Sequence, residues 1–405
     1  MTQPHSIALI SAAYPPYSWG GIDTQTFDLA HQLSALGTKV TVFCGGATRP
    51  TITKENDNLT VCRLPVANFP PRVAWFQIQN LRFFSKKLPA FDLVHSQHSS
   101  GSIYGLVKSK IRKPWVVSFH DHHLRRLLTF FNFKPWKLSL GDTFYYTLGY
   151  LIFDVLTKLE LKWADHYVVC GRAGLADYLS FSRIESPKTT LIENGIDLEK
   201  INSLIKDQKL ANESEHEQRN GLTLFTCGRL VATKGTEYLI SAMPQVLQEN
   251  CDVKLKIFGK GPMEPRLKNL INSLHLKEHV SLEGHVPYNQ LIKEMHESDL
   301  AIFPSMVEVG ASIAIMEAMA CHKSVIAFGY PFNMDIIKHL ETGFLVPERN
   351  TQELARAICL LLQDAGLRKR IGENAFNHIV RNHDYRKIAK KYIEVYSNVV
   401  SNGCK

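Results

Sequence analysis

Strand-length apolar runs alternate with helix-period stretches along this chain in two series separated by one polar interruption, and few folds satisfy that order. In the first series Ile7–Ser11 reads as a buried strand. Ile22, Leu29, Ala30, Leu33 and Leu36 then recur at helical spacing up to Gly37, a residue suited to ending a helix. Lys39–Cys44, Phe91–His95, Trp115–Phe119, His166–Cys170 and Thr190–Ile192 read as further strands. From Lys200 to Gly221 the chain turns polar and is expected to be a surface segment or linker. The alternation restarts with Leu222–Cys227, a helix marked by Tyr238, Leu239, Ala242, Val246 and Leu247, and the strand Val253–Ile257. Val280–Leu282, Leu300–Pro304 and Ser324–Phe328 follow, and His383–Val400 reads as one amphipathic helix. Buried strands joined through helices form parallel sheets covered on both faces. The expected architecture is therefore α/β, with two Rossmann-like domains at 1–195 and 196–382 and a closing helix at 383–405.

Length agrees, since 405 residues make two or three domains at roughly 150 each. The formal net charge is +9, and residues 1–195 carry +8 of it, which points to an anionic partner for the first domain. Nucleic acid, an acidic substrate and a membrane surface would each fit. Eight cysteines are scattered without close pairs, so a zinc knuckle or CxxC redox site is absent and a reduced, cytoplasmic chain is expected. The first strand begins too early to leave room for a leader peptide. The longest apolar stretch, Thr143–Phe153, falls well short of the roughly 20 residues a membrane-spanning helix needs.

Four places could carry chemistry. Trp19-Gly20-Gly21 opens a helix, where glycines expose backbone N–H groups to an anion or simply make a tight turn. CGRLVATKG (227–235) follows a strand, and its Arg229 and Lys234 suit either a diphosphate or a solvated basic loop. Glu317 sits among Met316, Ala318, Met319 and Ala320, and a carboxylate there needs a partner, either a ribose diol or an Arg or Lys. FHDHH (119–123) tempts a metal reading, but adjacent histidines on a loop do not converge on one ion. His120 is the better substrate contact, and no metal is expected. No GxSxG, HExxH, Walker or DxD pattern occurs.

Taken in order, PPYSWGG (15–21), FDLVHSQHSSG (91–101), ENGID (193–197), GRLVATKG (228–235), FGKGP (258–262), EGHVP (283–287), AIFPS (301–305), MEAMAC (316–321) and TGFLVPERN (342–350) resemble the retaining group 1, family 4 glycosyltransferases, the glycogen-synthase and sucrose-synthase type with the GT-B fold. HDYRKIAKKYIEVY (383–396) is similar to that family's last helix, which crosses back to the first domain. The resemblance implies two Rossmann-like domains facing a central cleft. It implies sugar transfer from a UDP- or GDP-linked donor to a hydroxyl acceptor, without metal or cofactor. It places Gly20 and Gly21 near the donor, His120 at the transferred sugar, Arg229 and Lys234 on the diphosphate, and Glu317 on the ribose. The family's two glutamates have seven residues between them, eight positions apart. Here the corresponding position is Val309, and Glu308 lies one residue further from Glu317, so Glu308 is expected to reach the sugar through an adjusted loop.

The acceptor side lies in the basic first half. PRVAWFQIQNLRFFSKK (71–87) has no acid among its cations and aromatics, and LRRLLTFFNFKPWK (124–137) repeats that mixture. Arg72, Trp75, Arg82, Arg125 and Arg126 suit an anionic membrane surface, or the solvated edge of core helices. A lipid-linked or membrane-proximal glycan acceptor follows, at the cytosolic face. A sugar-nucleotide epimerase, a phosphorylase and transfer to a soluble small molecule are the alternatives. A nucleic-acid module would explain the charge but neither GRLVATKG nor the Glu317 helix.

Overall fold

The computed structural model describes all residues except 1–3, 18–20, 68–71, 121–139, 183, 185, 213–220, 250–251, 307–311 and 404–405. The chain divides into two compact units, Met1–Asn194 with Tyr385–Lys405, and Gly195–Asp384.

The first unit holds eight strands: β1 (Ser6–Ser11), β2 (Lys39–Ala47), β3 (Thr51–Lys54), β4 (Leu59–Pro65), β5 (Leu93–Gln97), β6 (Trp115–Phe119), β7 (His166–Val169) and β8 (Thr189–Leu191). Their order is β3-β4-β2-β1-β5-β6-β7-β8. All neighbours are parallel except the β3–β4 hairpin. That hairpin is not legible in the apolar pattern, because β3 is the fully exposed edge strand TITK and β4 interleaves Arg63 among its buried residues. From β1 the chain builds outward through β2 and β4, then returns to β5 and proceeds the other way. The strand order therefore reverses between β1 and β5.

Helices cover both faces of this sheet. Leu29 and Leu33 of helix Gly21–Ala35 share one core cluster with Tyr385, Ile388, Tyr392 and Tyr396 of the last helix, Tyr385–Gly403. On the other face Phe76 and Phe84 of helix Arg72–Lys87 meet Tyr104, Ile111 and Trp115. The last helix is anchored by polar contacts as well as apolar ones. Tyr385 donates to the Gln25 carbonyl at 3.0 Å, Tyr392 hydrogen-bonds with Ser118 at 3.2 Å, and Tyr396 hydrogen-bonds with His95 at 2.8 Å. Burial, and secondarily the neighbouring His120, push the His95 imidazole down to about 3, so it is held neutral.

The second unit carries β9 (Leu222–Cys227), β10 (Val253–Phe258), β11 (Val280–Gly284), β12 (Leu300–Phe303), β13 (Val325–Phe328) and β14 (Phe344–Val346) in the parallel order β11-β10-β9-β12-β13-β14. Its order reverses between β9 and β12. The polar stretch expected as a linker is only partly one. Leu198–Asn212 is a helix whose Ile201 and Ile205 enter the core beside Ile315, Met316 and Met319. Leu198, Ile201 and Ile205 recur at helical spacing, and the surrounding Lys, Asp and Asn obscured that stripe.

Candidate functional site

Open parallel sheets leave a crevice beyond the carboxyl ends of the strands where the order reverses, because the flanking connections run to opposite faces. In the second unit that place is the end of β9 beside β12. A small pocket lies there, lined by Thr226–Leu230, Lys234 and Thr236 from one side and by Phe303–Ser305 from the other. Arg229 is exposed, and Lys234 closes a short turn (Ala232–Lys234) directly ahead of helix Thr236–Glu249. Thr236, the first residue of this helix, lines the pocket, so the positive end of the helix dipole lies beside it. Two cations and the start of a helix thus border one pocket.

The loops around the pocket are locked to one another through backbone. Leu230 N–H donates to the Lys260 carbonyl at 3.0 Å, Met263 N–H to Leu230 at 2.9 Å, and Met306 N–H to Thr233 at 2.8 Å. Glycines permit this closeness. Gly235 has φ +66°, and a Cβ there would lie 2.0 Å from the Pro304 carbonyl oxygen. Gly259 has φ +132°, and a Cβ would lie 1.9 Å from the Gly228 oxygen. The GKGP turn is thus a packing device that holds the Arg229 loop in place.

Glu317 lies on helix Ile313–Ala320 in the same unit and is buried. Among the described residues its hydrogen-bond partner is a tyrosine, with a lysine charge nearby. The Tyr288 hydroxyl donates to Oε1 at 2.9 Å, and the Lys200 ammonium stands 4.6 Å over the Tyr288 ring. Burial raises the carboxyl to about 7, while the Tyr288 bond and the Lys200 charge draw it back down. Glu308, with Val309, lies outside the described residues.

In the first unit the equivalent crevice is at the ends of β1 and β5. The segment Gln97–Ser102 after β5 is buried throughout. Gln77 donates to the Ser99 carbonyl at 2.7 Å and accepts from Ile103 N–H at 2.8 Å. Ser99 N–H donates to Glu160 at 3.1 Å, and Ser100 accepts from Ala12 N–H at 3.1 Å. His120, immediately after β6, is buried and meets the Gln97 amide oxygen through Nε2 at 2.7 Å. An amide oxygen only accepts, so Nε2 carries the proton. Gly21 is the exposed first residue of helix Gly21–Ala35, while Gly20 lies outside the described residues.

Arg72, Trp75 and Arg82 share the outer face of helix Arg72–Lys87 with Ile78, Lys86 and Lys87. Trp75 is 36% and Ile78 54% exposed, more apolar surface than a solvated basic edge requires. Arg125 and Arg126 lie outside the described residues, as do His122 and His123. Among the described residues no three of His, Cys, Asp and Glu gather as a metal site, and no helix is long and apolar enough to cross a membrane.

Residues 207–378 match the family described as glycosyl transferases group 1, and residues 19–200 match glycosyltransferase family 4. The phosphatidyl-myo-inositol mannosyltransferase of Mycobacterium leprae is 28% identical over 310 residues, covering 74% of this chain and 79% of that protein. Among solved structures, sucrose-phosphate synthase from Thermosynechococcus elongatus superposes with TM-score 0.75 at 21% identity, covering 98% of this chain and 100% of that one. HepE of Anabaena, solved in complex with UDP-glucose, gives 0.70 at 19%, covering 97% and 99%.

Proposed function

The chain belongs to the group 1, family 4 glycosyltransferases with the GT-B fold, and we propose that it moves a hexose from a UDP- or GDP-linked donor to a hydroxyl acceptor with retention of configuration. The observation that carries this reading is the pairing of Arg229 and Lys234 with the N-terminus of helix Thr236–Glu249 at the β9–β12 crevice. The departing nucleoside diphosphate gains charge as the glycosidic bond breaks. Two cations and the positive end of a helix already beside that position stabilise it without reorganising. Arg229 and Lys234 supply the charge that a metal would otherwise supply, so the reaction runs without metal or cofactor. Glu317 accepts from the ribose hydroxyls, as its buried carboxylate suits two neutral donors. The family resemblance assigns Glu308 and His120 to the transferred sugar and Gly20 and Gly21 to the donor.

The front-face route fits retention, with the leaving phosphate oxygen helping to take the acceptor's proton. The UDP-glucose complex of HepE supports the donor class. The outward face of Arg72, Trp75, Ile78, Arg82, Lys86 and Lys87 supports docking on an anionic membrane at its cytosolic side and a lipid-linked or membrane-proximal glycan acceptor. The lipid-acting mannosyltransferase among the relatives supports the same acceptor class. The test is donor consumption across UDP- and GDP-sugars, with and without lipid acceptors and with EDTA. The reading expects one donor class to be consumed, faster with acceptor, and unaffected by EDTA. No consumption of any nucleotide-sugar, or dependence on added metal, would overturn it.

A further inference from the structure

Tyr288 opens helix Tyr288–Glu297, behind Pro287, whose fixed φ of −56° sets the chain's entry to the helix. From there its hydroxyl reaches Oε1 of Glu317 at 2.9 Å, and it is the hydrogen-bond donor to that carboxylate among the described residues. We infer that Tyr288 is a positioning residue for the donor nucleotide, one that occupies Oε1 and so turns Oε2 of Glu317 toward the ribose diol. This rests on the reading of Glu317 as the ribose group.

Three features make the arrangement more than a filled hydrogen-bond valence. The phenol is a neutral donor, so it satisfies one oxygen without neutralising the anion, which an Arg or Lys in contact would do. Lys200 over the ring polarises the phenol and places positive charge one group away from the carboxylate. Finally, Glu317 titrates in the neutral range because burial is opposed by these two groups. The groups facing it are Tyr288, Lys200 from helix Leu198–Asn212, and Cys321 one turn on along its own helix. The ionised form accepts both ribose hydroxyls, so nucleotide affinity falls as pH drops through the Glu317 titration.

The test measures binding of UDP and GDP, and of the 2′,3′-dideoxy form of whichever binds, from about pH 5.5 to 8.5, a range that brackets the titration. Wild type, Tyr288→Phe, Lys200→Met and Glu317→Gln are compared by calorimetry, with Tm as the check on folding. Tyr288→Phe is expected to weaken the parent nucleotide on the order of tenfold, as for loss of one hydrogen bond to a charged group. Its affinity midpoint should move to higher pH, and its effect should vanish with the dideoxy nucleotide. Lys200→Met, which keeps the hydroxyl, should move the midpoint the same way by less. Equal weakening of both nucleotides by Tyr288→Phe would assign Tyr288 a folding role and overturn the inference. No weakening by Tyr288→Phe where Glu317→Gln does weaken binding would overturn it while leaving the ribose reading intact. If Glu317→Gln itself changes nothing, that reading falls and takes the inference with it. Should Tyr288→Phe melt early, an unmoved midpoint in Lys200→Met overturns the coupling.

Discussion

Arg229 and Lys234 are separated by five positions in sequence and by one turn of backbone in space, and both line one pocket. Replacing either with Ala should lower turnover on the order of 10²-fold, as for loss of a donor that stabilises developing charge. Tm should be unchanged, because neither side chain is buried. Steady-state kinetics and melting of the two variants check this, and near-normal turnover in both would remove the clamp from the account. These residues were legible in sequence because a cation placed just after a strand has few structural duties. Glu317 was legible by the same logic, since a charge among Met and Ala demands a reason. Its partner was not. Tyr288 lies 29 residues away on a different helix, and Gln97 lies 23 residues from His120. Such pairings arise when separate strand ends are brought together, and composition and spacing carry no trace of that.

At the scale of elements, helix Arg72–Lys87 turns Phe76 and Phe84 inward and presents cations, Trp75 and Ile78 outward. Each Lys or Arg near an anionic surface contributes about 1 kcal/mol, screened by salt. The protein should sediment with anionic liposomes at low salt. Arg82→Ser, Lys86→Ser and Lys87→Ser together should release it, while Trp75→Ser should remove the salt-resistant fraction. Equal recovery with neutral and anionic vesicles would exclude this face.

Helix Leu140–Trp163 yields a second prediction. Its buried Glu160 holds Ser99 N–H, and burial raises the carboxyl from 4.5 to about 8 against the hydrogen bonds that lower it. A carboxyl raised on folding binds its proton more tightly in the native state, so its contribution to stability is greatest below about 4.5 and is lost as pH rises toward about 8. Glu160→Gln should flatten the decline of Tm across that window, measured by calorimetric melts. A residual slope should remain, because Glu317 acts in the same sense up to about 7. An unchanged slope would mean that Glu160 is ionised in the native protein. Elements with strong apolar periodicity were visible beforehand. The hairpin β3–β4 and helix Leu198–Asn212 were not, because β3 is fully exposed, Arg63 interrupts the apolar run of β4, and charged and polar residues dominate the helix.

For the whole molecule, the repeated strand–helix alternation sufficed to foresee two parallel-sheet domains, since buried parallel strands have few other solutions. The final helix shows why order along the chain and order in space diverge. It supplies Tyr385, Tyr392 and Tyr396 to the core of the first unit although the entire second unit intervenes. The second unit is accordingly spliced into the first, and its two ends meet. Ile196 bridges Asp384, and Ile196 N–H donates to the His383 carbonyl at 2.9 Å. A module whose termini touch can be cut out with two incisions or grafted into another host loop without stretching either chain. Its core closes on itself, running from Ile196 and Ile205 through Met316 to Ile379. Residues 195–384, expressed alone, should therefore melt cooperatively and retain nucleotide binding, as scanning calorimetry and titration would reveal. The gene therefore holds this unit as one continuous insert whose two junctions lie side by side.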